Sequence, residues 1–375
     1  MDLRLTETQN MLKKVAADFV KAEAPSHVLT QWYRRGETAQ IDLYRKAAGL
    51  GWLGMVLPER YGGGAASFTD CAVVFEELGR GPLPGPFFSS GVLGALLVLE
   101  GGSEAQKESL LPAICSGKSI VVAAITDRGT HWGPESVQTR LTKTGGDFIL
   151  EGTKRFVHDA EAATGFICAA RTENGAIALA LADRGPGLSI TPHPGFMTSV
   201  AEVRFDRVRV PAAHVLGEAG AGWQILDRAL EKAIPILCAY QVGACQEIFD
   251  FTVEYTRTRV VFGQPIGRFQ RVQDHCVELS IHLDAARYVT YETLWKLDSG
   301  LPATASVHES KAVASEAYYQ VCNYAHMVFA GPGTDYQHPL MAHSVMAHTL
   351  YQYLGTPLHH KRKMMAALYP PPYRP

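Results

Sequence analysis

From Gly222 to the end of the chain the sequence carries helical periodicity with few interruptions. Four segments, roughly 223–257, 269–299, 304–330 and 338–367, place apolar residues at helical spacing. Each is about 25–35 residues long, well beyond the roughly 11–12 of an average globular helix. Helices of that length suit a four-helix bundle, often one that packs against another subunit. The bundle is expected to fill 222–375.

The preceding stretch, 116–221, has a different texture. "SIVVAAIT", "GDFILEGTKRFV", "GFICAA", "AIALALA", "LSITP" and "EVRFDRVRVP" are short β-rich runs separated by Gly, Pro and Asp. No helix-length period interrupts them, so an antiparallel sandwich or barrel fits better than a parallel sheet. Residues 1–115 read helical again. Thr6 and Gln9 form a capping box, with the hydroxyl serving an orphan N–H and the amide returning to the cap. Helices follow around Ile41–Leu50, Thr69–Leu78, Gly91–Leu99 and Glu104–Cys115, and "GWLGMVLPERYGGGAA" is a loop. Helices, then a small β-domain, then a bundle is an uncommon order.

Composition excludes several functions. Lysine plus arginine number 35 against 37 acidic residues, a net charge of −2, so nothing points to nucleic acid. The basic cluster His359–Lys363 reads as a solvated helix end. Seven cysteines are scattered without a C-x-x-C pair and read as small buried side chains in a reducing compartment. The N-terminus lacks the basic start and apolar run of a signal peptide, which predicts a cytoplasmic protein. No run of eighteen apolar residues predicts a membrane span. The tail "YPPPYRP" reads as extended. His343 and His348 are five apart, whereas metal pairs on helices prefer spacings of three or four, so no metal site is expected.

One segment between two of the long helices carries chemistry: "RTRVVFGQPIGRFQ", Arg257 to Gln270. Arg259 at a helix tip, before a Gly263/Pro265 turn, can aim a guanidinium outward, and guanidinium grips phosphate oxygens in a bidentate fashion. Phe262 can cover a base and Gln270 can read a base edge or bridge a phosphate. Together they suit a dinucleotide's pyrophosphate and adenine. The alternative is an Arg259 paired with a carboxylate and a Phe262 in the core.

That segment resembles the flavin-binding turn of acyl-CoA dehydrogenases, R-x-x-F-G followed by F-Q. "VLPERYGGGAASFTDCAVVFEELGRG" resembles the family's P-E-x-Y-G-G and E-E-L-G helix. "LEGTKRFVHDAEAATGFICAART" resembles its G-x-K-x-(W/F)-(I/V) strand, "VRFDRVRVPAAHVLG" its sheet exit, and "VFAGPGTDYQHPL" its glycine turn. The likeness spans nearly the whole chain in order. It implies an N-terminal α-helical domain, a central antiparallel β-sandwich or barrel, and a C-terminal four-helix bundle. It also implies FAD. The flavin ring would lie near Thr126 and Phe156, Val157 and His158. The pyrophosphate and adenine would meet Arg259, Phe262 and Gln270 of a neighbouring subunit, with the Gly331–Gly333 turn and Thr356 completing the cofactor set. Trp132 and Gly355 would face an acyl-CoA, and electrons would pass to an electron-transferring flavoprotein.

The family's reaction removes a proton α to a thioester with a glutamate, and here the chain departs from the pattern. The Y-E-G-T turn reads Tyr353-Leu354-Gly355-Thr356. The second known glutamate position aligns at about Ala233, and the third place, in the glycine-turn segment, holds Gln337 and Pro339. The loop T-E-P-x-x-G-S-D reads Thr126-Asp127-Arg128-Gly129-Thr130-His131-Trp132-Gly133, the strand Thr becomes His158, and the glutamine before the glycine turn becomes Met327. Asp335 is the first candidate base; Glu231, Tyr353 and His158 follow. Against these stand a turn role for Asp335, a surface role for Glu231 and a structural one for His158. The other explanation is a base-lacking, flavin-supporting subunit that pairs with an unlike chain, as in hetero-oligomeric family members. Met327 argues against it, because that glutamine would also serve the neighbour.

Overall fold

A computed structural model describes residues 3–36, 40–127, 132–218 and 220–369. Arg128–His131 of the predicted site loop and most of the proline-rich tail lie outside the described residues. The helices are α1 (Glu7–Glu23), α2 (Ser26–Arg35), α3 (Ile41–Gly49), α4 (Phe68–Arg80), α5 (Ala95–Gly101), α6 (Glu104–Cys115), α7 (Gly222–Thr258), α8 (Gln270–Asp298), α9 (Thr304–Phe329), α10 (Pro339–Gln352) and α11 (Pro357–Leu368). The strands are β1 (Val121–Ala124), β2 (Arg140–Thr144), β3 (Asp147–His158), β4 (Gly165–Thr172), β5 (Ile177–Asp183), β6 (Leu188–Pro192), β7 (Val200–Val210), β8 (Val215–Leu216), and the short pair β9 (Val260–Val261) and β10 (Gln264–Pro265).

The chain forms two compact units. One comprises 1–35, 68–83 and 234–375; the other comprises 36–67 and 84–233. Helix α7 passes from one unit to the other beside Pro235, a residue that cannot donate to the helix ladder and so weakens it there.

Among the described residues the first unit is helical apart from the β9–β10 hairpin. Its α4 and α7 meet backbone to backbone. A Cβ on Gly79 would fall 1.8 Å from the Tyr240 carbonyl oxygen, and one on Gly243 would fall 1.7 Å from that of Glu76. Only glycine permits that approach. The capping box of α1 forms as expected, with Gln9 N donating to Thr6 Oγ1 and Thr6 N to Gln9 Oε1. Arg80 at the end of α4 bridges Glu247 and Asp250 of α7 at 2.8 and 2.7 Å. The expected single helix over 338–367 is instead two helices, α10 and α11. Leu354 and Gly355 take φ values of 63° and 112°, and Pro357 starts the next helix with Thr356 as its N-cap. A left-handed pair ahead of a proline stops a helix, whereas the apolar period runs on through it.

The second unit holds an eight-stranded sheet in the order β6-β7-β3-β2-β4-β5-β8, with β1 added against β4. The sheet is mixed and not closed into a barrel. Most pairings are antiparallel as expected, but β1 and β2 both run parallel to β4. They share one edge of β4: β1 pairs with Gly165–Cys168 and β2 with Arg171 and Thr172. The described ends of the connection between them, 125–127 and 132–139, leave β1 and enter β2. The polar strand β2, the short β8 and helix α2 gave no periodic signal in the sequence. The segment Ser89–Gly94 ahead of α5 is a π-helical turn. Six of the seven cysteines are buried.

Candidate active site

In the sheet-bearing unit the site is built around a buried ion pair. Lys154 on β3 is wholly buried and donates to Asp127 Oδ2 at 2.6 Å and to the Ile125 carbonyl at 2.9 Å. Asp127 also accepts from Thr139 Oγ1 at 2.5 Å, Thr139 N at 3.2 Å and Gln138 N at 3.1 Å. Four donors converge on one carboxylate, so the described ends of the β1–β2 connection are tied to each other and to β3. Arg155 N then donates to the Thr126 carbonyl at 2.8 Å, which places Thr126 beside the next part of β3.

That next part is a corner. The register with β7 shifts between Lys154 and Val157, and Phe156 takes φ 53°, a conformation strained for an aromatic residue. Phe156 remains 52% exposed while Val157 and His158 are buried. Its ring lies 5.7 Å from His193 and 6.4 Å from Phe196, so three rings cluster here, Phe156 exposed and the other two half-buried. Thr198 Oγ1 lies 3.1 Å from His158 Nδ1. The sequence reading missed His193, Phe196 and Thr198. They lie on the β6–β7 connection, and only the pairing of β3 with β7 brings them to the corner. Trp132 is half-buried beyond the undescribed segment. Of the base candidates in this unit, Glu231 lies half-buried on α7. The aligned Ala233 is fully buried.

In the helical unit the Arg257–Gln270 segment contains a tight hairpin. Val260 pairs with Pro265 and Val261 with Gln264, leaving Phe262 and Gly263 at the tip with φ of 52° and 77°. Two positive φ values are what a two-residue hairpin turn demands, and Phe is a costly occupant of the first. Phe262 is 91% exposed, which overturns its alternative as a core residue. Arg259 is exposed, and its side chain has no ion pair among the described residues. Gln270, exposed, opens α8. The base of this hairpin is fastened to the glycine turn by aromatic packing. Tyr255 on α7 stacks on Phe329 at 4.4 Å, and Phe329 packs on His338 at 4.5 Å.

The glycine turn itself is open at Gly331, where an added Cβ would meet nothing within 4 Å, and closed at Gly333, where it would fall 2.8 Å from Phe329 Cβ. Ala330 ahead of it is held at φ 53°, ψ −129°, a glycine conformation. Met327 is 60% exposed. Asp335 is exposed, and its Oδ1 accepts from Gln337 N at 2.9 Å. That is the geometry of an Asx turn, the alternative to a catalytic role.

At the Tyr353–Thr356 turn, Leu354 is 3% exposed. Its carbonyl accepts from His360 Nε2 at 3.1 Å, and His360 Nδ1 lies 2.9 Å from His308 Nδ1. The first bond puts the His360 proton on Nε2, so His308 donates to His360. Lys311, wholly buried, donates to the Leu350 carbonyl at 3.1 Å and Ser315 Oγ at 2.7 Å. Burial without a counter-charge lowers its pKa to about 8. Two donors thus cap the C-terminal end of α10 and fix the turn. Gly355 is packed by His359 and His360.

The models of the N-terminal and C-terminal domains of acyl-CoA dehydrogenase match residues 6–118 and 220–368. The chain belongs to the acyl-CoA dehydrogenase family. It is 29% identical over 379 residues to the short-chain specific acyl-CoA dehydrogenase of Megasphaera elsdenii, covering 95% of this chain and 96% of the relative. The solved butyryl-CoA dehydrogenase from Megasphaera elsdenii superimposes with a TM-score of 0.91 at 27% identity, over 98% of this chain and all of that one. PigA, solved with FAD and proline, gives a TM-score of 0.90 at 26% identity, over 98% and 99%. Among the described residues no helix is long and apolar enough to cross a membrane.

Proposed function

We propose that the chain binds FAD and takes part in α,β-dehydrogenation of an acyl-CoA thioester, with electrons passing to an electron-transferring flavoprotein. The observation that carries the reading is the Arg259–Phe262 hairpin: an exposed guanidinium with no ion pair among the described residues, three positions before an aromatic ring that is 91% exposed on a strained turn. Phe262 meets the Phe269 ring edge-on at 6.3 Å and otherwise faces outward. The hairpin suits a ligand with an anionic diphosphate and a flat base, and it suits a second subunit's FAD.

The residues fit that cofactor. Arg259 would neutralise the diphosphate, Phe262 would cover the adenine, and Gln270 and the open Gly331 turn would complete the pocket. The cluster of exposed Phe156 with half-buried His193 and Phe196, backed by His158 and Thr198, would receive the flavin ring. FAD, once bound, supplies an acceptor for the substrate's β-hydride. Trp132 and Gly355 would border the acyl thioester. A dimer or larger assembly is required, since the hairpin serves a neighbour.

A second reading is favoured by one specific feature. Leu354 occupies the place of the family's glutamate, is buried, and cannot accept a proton. Asp335 is engaged in a turn. The chain would then be a flavin-supporting subunit whose unlike partner supplies the base. Purifying the chain alone and recording its visible spectrum separates the two. Bound flavin that bleaches on addition of an acyl-CoA supports the enzyme. A colourless chain that gains flavin only with a second polypeptide supports the subunit.

A further inference from the structure

We infer that Asp159, hydrogen-bonded to Ser89, is a positioning residue whose proton occupancy sets the geometry of the Phe156–His158 corner; this rests on that corner receiving the flavin ring. Asp159 directly follows His158 and is itself held at φ 56°. Its N–H donates to the Ser199 carbonyl at 2.6 Å, which fixes the end of β3 to the strand beside it. Its side chain is buried among the helices of the same unit, where Ser89 Oγ in the π-helical turn donates to Oδ2 at 2.5 Å. Oδ1 is buried and has no hydrogen-bond partner among the described residues.

Among the described residues, the groups facing this carboxyl supply no positive charge. Tyr44 of α3 donates to Ser90 Oγ at 3.1 Å, and Cys115 of α6 lies beside Tyr44. Glu161, on the same connection, accepts from Ser199 Oγ at 2.7 Å. Lys154 is committed to Asp127. Burial therefore pushes the Asp159 carboxyl up to about 7, with the Ser89 hydrogen bond acting weakly in the other direction. Below that pH the acid is neutral and its geometry is comfortable. Above it, a carboxylate with one bare oxygen must draw in water or move. Movement at a strained residue is passed along the backbone to His158 and Phe156, one and three positions upstream.

The test measures FAD affinity by fluorescence quenching between pH 6 and 8.5 for the wild type and Asp159→Asn, with pH-dependent unfolding of both as a flavin-free arm. Wild-type affinity should be level below about pH 6.5 and decline above about 7 by up to roughly tenfold per pH unit, the limit for one linked proton. Asp159→Asn should bind as the wild type does at pH 6 and show no decline. Ser89→Ala, which removes a bond favouring the charged form, should move the break to higher pH. Equal pH profiles in wild type and Asp159→Asn, or a break unmoved in Ser89→Ala, overturn the inference. Should neither form bind FAD at any pH, the cofactor reading fails and the unfolding arm decides this one. The folded pKa of Asp159 is raised above its unfolded value, so its stabilising contribution is complete below about pH 4 and is lost as pH rises to about 7. The wild type should thus fall relative to Asp159→Asn over that window and run parallel above it; parallel curves throughout would refute the claim.

Discussion

Lys154→Met should be among the most destabilising single changes available in the sheet-bearing unit. Lys154 contributes the bonds to Asp127 Oδ2 and to the Ile125 carbonyl, and neither charged group reaches water, with side-chain exposures of 0% and 3%. Removing one partner of a buried pair costs about 3–5 kcal/mol, because the other charge stays behind uncompensated. Asp127 would keep three donors, from Gln138 N, Thr139 N and Thr139 Oγ1, so the loss belongs near the lower end, about 3 kcal/mol. That is more than about a hundredfold in the folding equilibrium, against a total stability of roughly 5–15 kcal/mol. Urea unfolding followed by circular dichroism should show a lower midpoint at unchanged slope. Adding Asp127→Asn should restore part of the loss, since the stranded charge disappears. A Lys154→Met cost below about 1 kcal/mol, or a double variant no better than the single, would refute the reasoning.

Phe262→Gly should raise thermal stability by relieving the positive φ, a gain of about 1 kcal/mol, and at the same time weaken FAD retention. A calorimetric scan together with the ratio of flavin to protein absorbance reads both effects. Acid should destabilise the helical unit through its buried histidines: burial lowers His308 to about 4 and His343 to about 3. Their folded pKa values lie below the unfolded one, so the stability they allow is present above about pH 6.5 and is lost as pH falls through that window. His343→Gln should flatten the slope of unfolding free energy between pH 6 and 4, by up to about 1.4 kcal/mol per pH unit.

The long helices were legible because their period repeats over many turns: α8 and α9 start and end within a residue or so of their predicted bounds. The break at Leu354 was not, because an apolar residue in a left-handed conformation looks like any other apolar residue. β2, with a single buried side chain, carries no alternation to read. The mixed pairing of β1 and β2 along β4 is a long-range property that local pattern does not encode. At the site, Arg259 and Phe262 were legible because their residue types contradict a plain helix–turn–helix. His193, Phe196 and Asp159 were not. Each acts through a pairing of β3 with β7 or a contact with the π-helical turn, and their own neighbours in sequence are unremarkable.

FAD binding by wild type and Arg259→Ala, titrated side by side at matched ionic strength, tests the central claim most directly. A charge-assisted contact to the diphosphate contributes about 1.5–3 kcal/mol, so the variant should bind roughly 10- to 150-fold more weakly while unfolding at the same temperature. Indistinguishable titrations would mean that this guanidinium meets no nucleotide.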